Sequence, residues 1–118
     1  MNDKPKNIAV IGCGYWGKNL IRNFFEIDAL AAVCDADPDQ AKKFADMYDV
    51  PSMSFDEVLK SDQIEGVVIA APAALHYKIA KQALEANKHV FVEKPLSLSV
   101  SEGEELCNIS KQKNKILM

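Results

Sequence analysis

Three glycines, a carboxylate and a lysine are the residues of this 118-residue chain whose types and spacing could do chemistry. Gly12, Gly14 and Gly17 follow the apolar run Ile8-Ala-Val-Ile11 and precede a helical pattern from Lys18 onward. A G-x-G-x-x-G spacing between a buried strand and a helix is the arrangement that holds a dinucleotide's pyrophosphate. Gly12 permits the tight turn, Gly14 removes a Cβ where phosphate must approach the backbone, and Gly17 lets helix and strand pack closely. The helix start then offers unpaired N–H groups and the positive end of its dipole. The next apolar run, Leu30–Cys34, ends in Asp35. An acidic residue about 20 positions beyond the first glycine accepts hydrogen bonds from ribose hydroxyls. Both signals in register predict dinucleotide binding within a β-α-β unit.

The lysine is Lys94, in Glu93-Lys94-Pro95 at the end of the apolar run His89–Val92. Pro95 restricts Lys94 to extended backbone. At the rim of a cleft, crowding or desolvation would lower its pKa toward acid–base use, and pairing with Glu93 would oppose that shift. Spacing alone leaves a solvated lysine and a functional one equally open. His76 stands at a helix start, where a histidine most simply bonds neighbouring backbone. Cys13, Cys34 and Cys107 are odd in number and spaced for neither a zinc site nor a disulfide framework. They read as reduced structural thiols of a cytoplasmic protein. The alternative is redox sensing at Cys13, since a helix N-terminus lowers thiol pKa. No metal-ligand spacing and no Ser-His-Asp set is visible.

The elements that must position these residues alternate strand and helix. Trp16, Leu20, Ile21, Phe24 and Phe25 recur at helical spacing and form the first helix's buried stripe. Asp37-Pro38-Asp39-Gln40 is a helix start, with Ala41, Phe44, Ala45 and Tyr48 on its apolar face. Lys42 and Lys43 form its solvated side, in the region where a 2′-phosphate would sit. Val50–Met53 is broken by Pro51 and predicts only a brief edge strand. Ser54-Phe-Asp-Glu57 is a capping box opening a short helix through Leu59. Strands at Gly66–Ala70 and His89–Val92 flank a helix with Leu75, Ile79, Ala80, Ala83 and Leu84 on one face. Ser99 and Glu102 cap a last helix carrying Leu106 and Ile109, and Ile116–Met118 reads as the start of a sixth strand. This pattern predicts an α/β, doubly wound parallel sheet of about six strands in the order 3-2-1-4-5-6, the Rossmann arrangement. In such a sheet ligands sit beyond the carboxyl ends of the strands. The glycine turn, Asp35, Ala71-Pro72-Ala73 and Glu93-Lys94-Pro95 then share one edge.

Ile8–Gly17, Asp35, Ala70–His76 and Val92–Leu96 together resemble the N-terminal domain of the Gfo/Idh/MocA family, the glucose–fructose oxidoreductase and inositol dehydrogenase relatives. The resemblance covers essentially the whole chain. It implies NAD(P)-dependent oxidation or reduction at a sugar or cyclitol carbon, with Lys94 as the catalytic lysine. It also implies a cofactor-binding set of Gly12, Gly14, Tyr15, Trp16, Gly17, Asp35, Ala71, Pro72, His76, Glu93 and Lys94. Many members read Thr-Pro-Asn where this chain has Ala71-Pro72-Ala73, which leaves backbone contacts at that loop. The Pro-Ala-x-x-His-Tyr run is closer to the nucleotide-sugar dehydrogenase branch. A C-terminal substrate domain with a second catalytic residue is expected beyond residues 1–118, which form one dinucleotide-binding domain. A homo-oligomer is expected too.

Asp35 predicts NAD over NADP, because a carboxylate there repels a 2′-phosphate and Ala36 supplies no arginine. The isolated chain is expected to bind cofactor with little turnover. A non-catalytic NAD(H)-binding regulatory or oligomerisation module is the competing reading. A net charge of −3 gives no electrostatic footprint for nucleic acid or an anionic membrane, and no apolar run approaches spanning length. The partner expected is a small-molecule sugar or nucleotide-sugar substrate.

Overall fold

A computed structural model describes residues 6–14, 17–92 and 99–118. The elements are β1 (Ile8–Ile11), α1 (Gly17–Glu26), β2 (Leu30–Cys34), α2 (Pro38–Tyr48), α3 (Phe55–Lys60), β3 (Gly66–Ile69), α4 (His76–Glu85), β4 (His89–Val92) and α5 (Val100–Lys113). A single 3-10 turn, Ala73–Leu75, leads into α4. All strand pairs are parallel, in the order β2-β1-β3-β4. Both sheet faces are covered, so the strands are nearly continuous apolar runs instead of alternating ones. Val10, Val33 and Val68 face α1 and α2 with Ile21, Phe44 and Ala45. Ala9, Ile11, Val67, Ile69 and Val90 face α3, α4 and α5 with Val58, Leu84 and Leu106.

Four strands, not six, are fully formed among the described residues. The expected third and sixth strands shrink to single parallel bridges, Val33 to Ser52 and Val90 to Leu117. Their places are nevertheless those of the expected order, one outside each edge of the four-stranded sheet. Pro51 explains the first reduction: its carbonyl accepts from Val33 N–H at 3.1 Å, but it has no N–H to return, and Met53 makes the next bond.

The helix starts follow the caps read in the sequence. Asp37 accepts from Asp39 N–H with Pro38 in the first turn, Ser54 and Glu57 make a reciprocal capping box, and Ser99 accepts from Glu102 N–H. Two apolar-face assignments need correcting: Leu75 is exposed in the 3-10 turn before α4, and Phe25 leaves the α1 stripe. Ile21 is fully buried, but Phe25 is 45% exposed and lies against the Tyr48 ring at 4.9 Å between centroids. It sits on the outer side of the α1 stripe, where the neighbouring helix gives only an edge to pack on. His89 is half-buried, and its Nδ1 accepts from Ile116 N–H at 3.0 Å.

Candidate functional site

The carboxyl ends of β1, β2 and β3 open into a cleft of about 1160 Å³. That exceeds the roughly 300–1,000 Å³ of pockets for drug-sized ligands. The glycine turn forms its floor. Gly12 has φ +104°, and a Cβ there would lie 2.7–2.9 Å from the backbone of Ala70 and Ala71. A Cβ on Gly17 would stand 1.8 Å from the Gly12 carbonyl oxygen. These two glycines are obliged by the fold. Gly14 is different: a Cβ there would meet nothing within 4 Å. Among the described residues nothing requires glycine at that position on steric grounds, and the residue borders the cleft. An open position between two obligatory glycines is the cradle that a pyrophosphate requires.

Asp35 stands at the end of β2, half-buried, with both oxygens oriented by backbone. Its Oδ2 accepts from Cys13 N–H at 2.6 Å and its Oδ1 from Asp37 N–H at 2.8 Å. One carboxylate thus ties the glycine turn to the loop entering α2. Each carboxylate oxygen has a second lone pair, so the group can still accept from a ligand hydroxyl.

The third wall is the loop after β3. Ala71, Pro72 and Ala73 border the cleft and offer backbone with small side chains. His76, at the first position of α4, is 3% exposed, and its Nε2 lies 2.7 Å from the Ala71 carbonyl oxygen. With Nε2 as the donor, the imidazole holds that loop from behind.

The cleft also takes in residues that sequence reasoning missed. Pro38 and Gln40 come from the start of α2, and Ser52, Met53 and Phe55 from the edge segment. Their signal was present only as caps and turns, since which loop reaches the cleft is a property of the packed sheet. Lys42 and Lys43 do not line it. Both are exposed, and Lys43 lies over the Phe44 ring at 5.5 Å. Tyr15, Trp16, Glu93 and Lys94 fall outside the described residues. The described members brought together at one edge are Gly12, Gly14, Asp35, Ala71, Pro72 and His76, with Gly17 packed beneath the turn.

Cys13 is buried, and its Sγ lies 3.6 Å from the Cys34 carbonyl. Burial first, then the negative charge of Asp35, pushes its pKa to about 12, and the same two causes push Cys34 to about 11. Burial and the Asp35 charge favour the neutral thiol at Cys13, against the low-pKa thiolate that redox sensing requires. Cys107, expected to be structural, is exposed on α5. Among the described residues no group of three His, Cys, Asp or Glu could hold a metal, and no helix is long and apolar enough to cross a membrane.

A family model described as "Oxidoreductase family, NAD-binding Rossmann fold" matches residues 6–118. A curated relative, dTDP-3,4-didehydro-2,6-dideoxy-alpha-D-glucose 3-reductase of Saccharopolyspora spinosa, is 29% identical over 97% of this chain and 36% of its own length. The 3-ketoreductase of Actinomadura kijaniata, solved with TDP-benzene and NADP, superposes with a TM-score of 0.88 at 28% identity, over 98% of this chain and 37% of that one. GenD2 from gentamicin A biosynthesis, solved with NAD, gives 0.88 at 30% identity, over 98% and 34%. The chain thus spans about a third of the length of each.

Proposed function

This chain belongs to the Gfo/Idh/MocA oxidoreductase family, and from that premise we propose that it is the cofactor-binding domain of a dehydrogenase or reductase acting at a carbinol carbon. The substrate class is a sugar, nucleotide sugar or cyclitol, supported by the nucleotide-sugar chemistry named for the reductase relative. The observation that carries the reading is the glycine turn, where Gly12 and Gly17 are demanded by packing and Gly14 by nothing among the described residues. The bound nicotinamide supplies hydride transfer; the chain supplies placement. Gly14 gives the pyrophosphate its approach, Asp35 accepts from the ribose hydroxyls, and the His76-held loop borders the cleft.

Within this reading the cofactor is NAD. Asp35, Asp37 and Glu57 border the cleft, and no lysine or arginine does so among the described residues. A 2′-phosphate would meet carboxylates without a compensating cation. Lys94 donates to, or takes the proton from, the substrate hydroxyl, with a substrate domain lying outside residues 1–118. Free thiols support a cytoplasmic setting, and the family resemblance supports a homo-oligomer.

Calorimetric titration of the chain with NADH and NADPH tests the binding role. NADH should bind more tightly, and Asp35→Ala should erase that preference. A folded chain that binds neither would overturn the reading. In the longer enzyme, Lys94→Ala should abolish hydride transfer while sparing NADH binding; unchanged turnover would point to a binding module instead.

A further inference from the structure

Helix α5 is long, and its first half, residues 100–105, contains no buried residue. Of its fourteen residues only Leu106 and Ser110 are buried, with Ile109 packed partly against the core. Leu106, Ile109 and, just beyond the helix, the Leu117 bridge to β4 hold its second half, and they do less to fix the first turns. The neighbour is α4: Leu106 shares its apolar cluster with Ala80, Ala83 and Leu84, and toward the start of α5 the contact becomes polar. Tyr77 and Lys81 stand one turn apart on α4, and both reach Glu105 on α5. The Tyr77 hydroxyl donates to Glu105 Oε1. Lys81 Nζ lies 3.4 Å from Glu105 Oε2 and 3.4 Å from the Tyr77 oxygen, with its ammonium 5.7 Å from the Tyr77 ring centroid.

The position of this cluster matters because of what each helix is attached to. The first two residues of α4 point into different jobs: His76 holds the Ala71 carbonyl of the cofactor loop, and Tyr77 holds α5. Helix α5 begins at the Ser99 cap, which is the far end of the 93–98 segment carrying Lys94; the near end, Val92, is fixed in the sheet. Whatever fixes α5 fixes Ser99, the residue at which the 93–98 segment ends.

We propose that Tyr77, Lys81 and Glu105 are positioning residues, a polar latch that sets α5 against α4 and so sets the anchor of the segment bearing Lys94. The link to catalysis rests on the reading of Lys94 given above; the latch itself does not. The protonation states agree with a latch rather than an acid–base pair. The Tyr77 bond holds Glu105 below its ordinary pKa, acceptance by that carboxylate raises Tyr77, and its hydrogen bond to Tyr77 together with the charge of Glu105 raises Lys81. The cluster is therefore carboxylate, neutral phenol and ammonium at neutral pH, and it lines no part of the cleft.

Amide hydrogen exchange on the 118-residue chain is the test, with Tyr77→Phe, Glu105→Gln and, as a control, Phe44→Leu in the core of the opposite sheet face. Tyr77→Phe should speed exchange at the hydrogen-bonded amides of residues 102–105 by about tenfold, leaving β1 and β3 unchanged. Glu105→Gln, which keeps an acceptor for the phenol, should give a smaller increase at the same amides. Phe44→Leu should not single out residues 102–105. A uniform increase across the chain in Tyr77→Phe, or none beyond the control, would overturn the latch. Because exchange is read without substrate, that result is independent of Lys94. In the longer enzyme Tyr77→Phe should lower kcat and leave KM for NAD unchanged. Faster exchange with unchanged kcat would refute the link to Lys94 while the latch stood.

Discussion

The two edges of the same parallel sheet use polar side chains in opposite ways. At the amino edge they close space. Lys88 is buried, and its Nζ donates to the carbonyls of Ser61 at 2.6 Å and Ile64 at 2.5 Å, stopping the end of α3. Burial pushes its pKa down. His89 accepts from Ile116 N–H, Asn7 donates to Glu65, and Gln63 donates to the Lys6 carbonyl. At the carboxyl edge the polar groups shape backbone around room that is left open. Asp35 pins two turns, His76 pins a third, and the surfaces between them are glycine, alanine and proline. A ligand site in this fold is thus recognised less by its polar residues than by where the chain has declined to fill space.

Breaking the contrast should give the largest effect at Gly17. A Cβ there collides with the Gly12 carbonyl, backbone against backbone. Gly17→Ala should destabilise the chain by on the order of 3 kcal/mol or more, measured by urea unfolding. The amino edge should respond next. Lys88→Met keeps the apolar stem and deprives two carbonyls of their donor, so about 1–3 kcal/mol should be lost with NADH binding spared. The cysteines sharpen the comparison without any stability change. Raising Cys13 from 9.0 to about 12 leaves its thiolate scarcer by about a thousandfold at neutral pH. Iodoacetamide followed by mass spectrometry should label exposed Cys107 in the native chain, and Cys13 and Cys34 only after denaturant is added.

What was legible in the sequence is what sterics dictate locally. The glycine turn follows from a strand meeting a helix with no room for Cβ atoms. Ser54, Asp37 and Ser99 announce helix starts because an orphan N–H needs a nearby oxygen. The strand order followed from alternation and handedness. What was not legible depended on partners distant in the chain. Lys88 and its carbonyls are 24 and 27 residues apart, as are His89 and the Ile116 N–H at 27, and a lone polar residue before a strand carries no mark of such a partner. Cys13 and Cys34 are the buried thiols the sequence implied, whereas Cys107, read the same way, lies on the exposed side of α5, and which side a helix turns outward depends on its neighbours. Pro51 announced that the edge at Val50–Met53 would be brief, whereas nothing in Ile116–Met118 shows that it completes only one bridge.

The measurement that bears most directly on the central claim is a paired one on Gly14→Ala, thermal unfolding beside NADH titration. The open space around that position predicts a melting temperature within about 2 °C of the parent, together with an NADH affinity at least tenfold weaker. A stable variant that binds NADH as the parent does would contradict the account, because the space left at Gly14 would then belong to nothing.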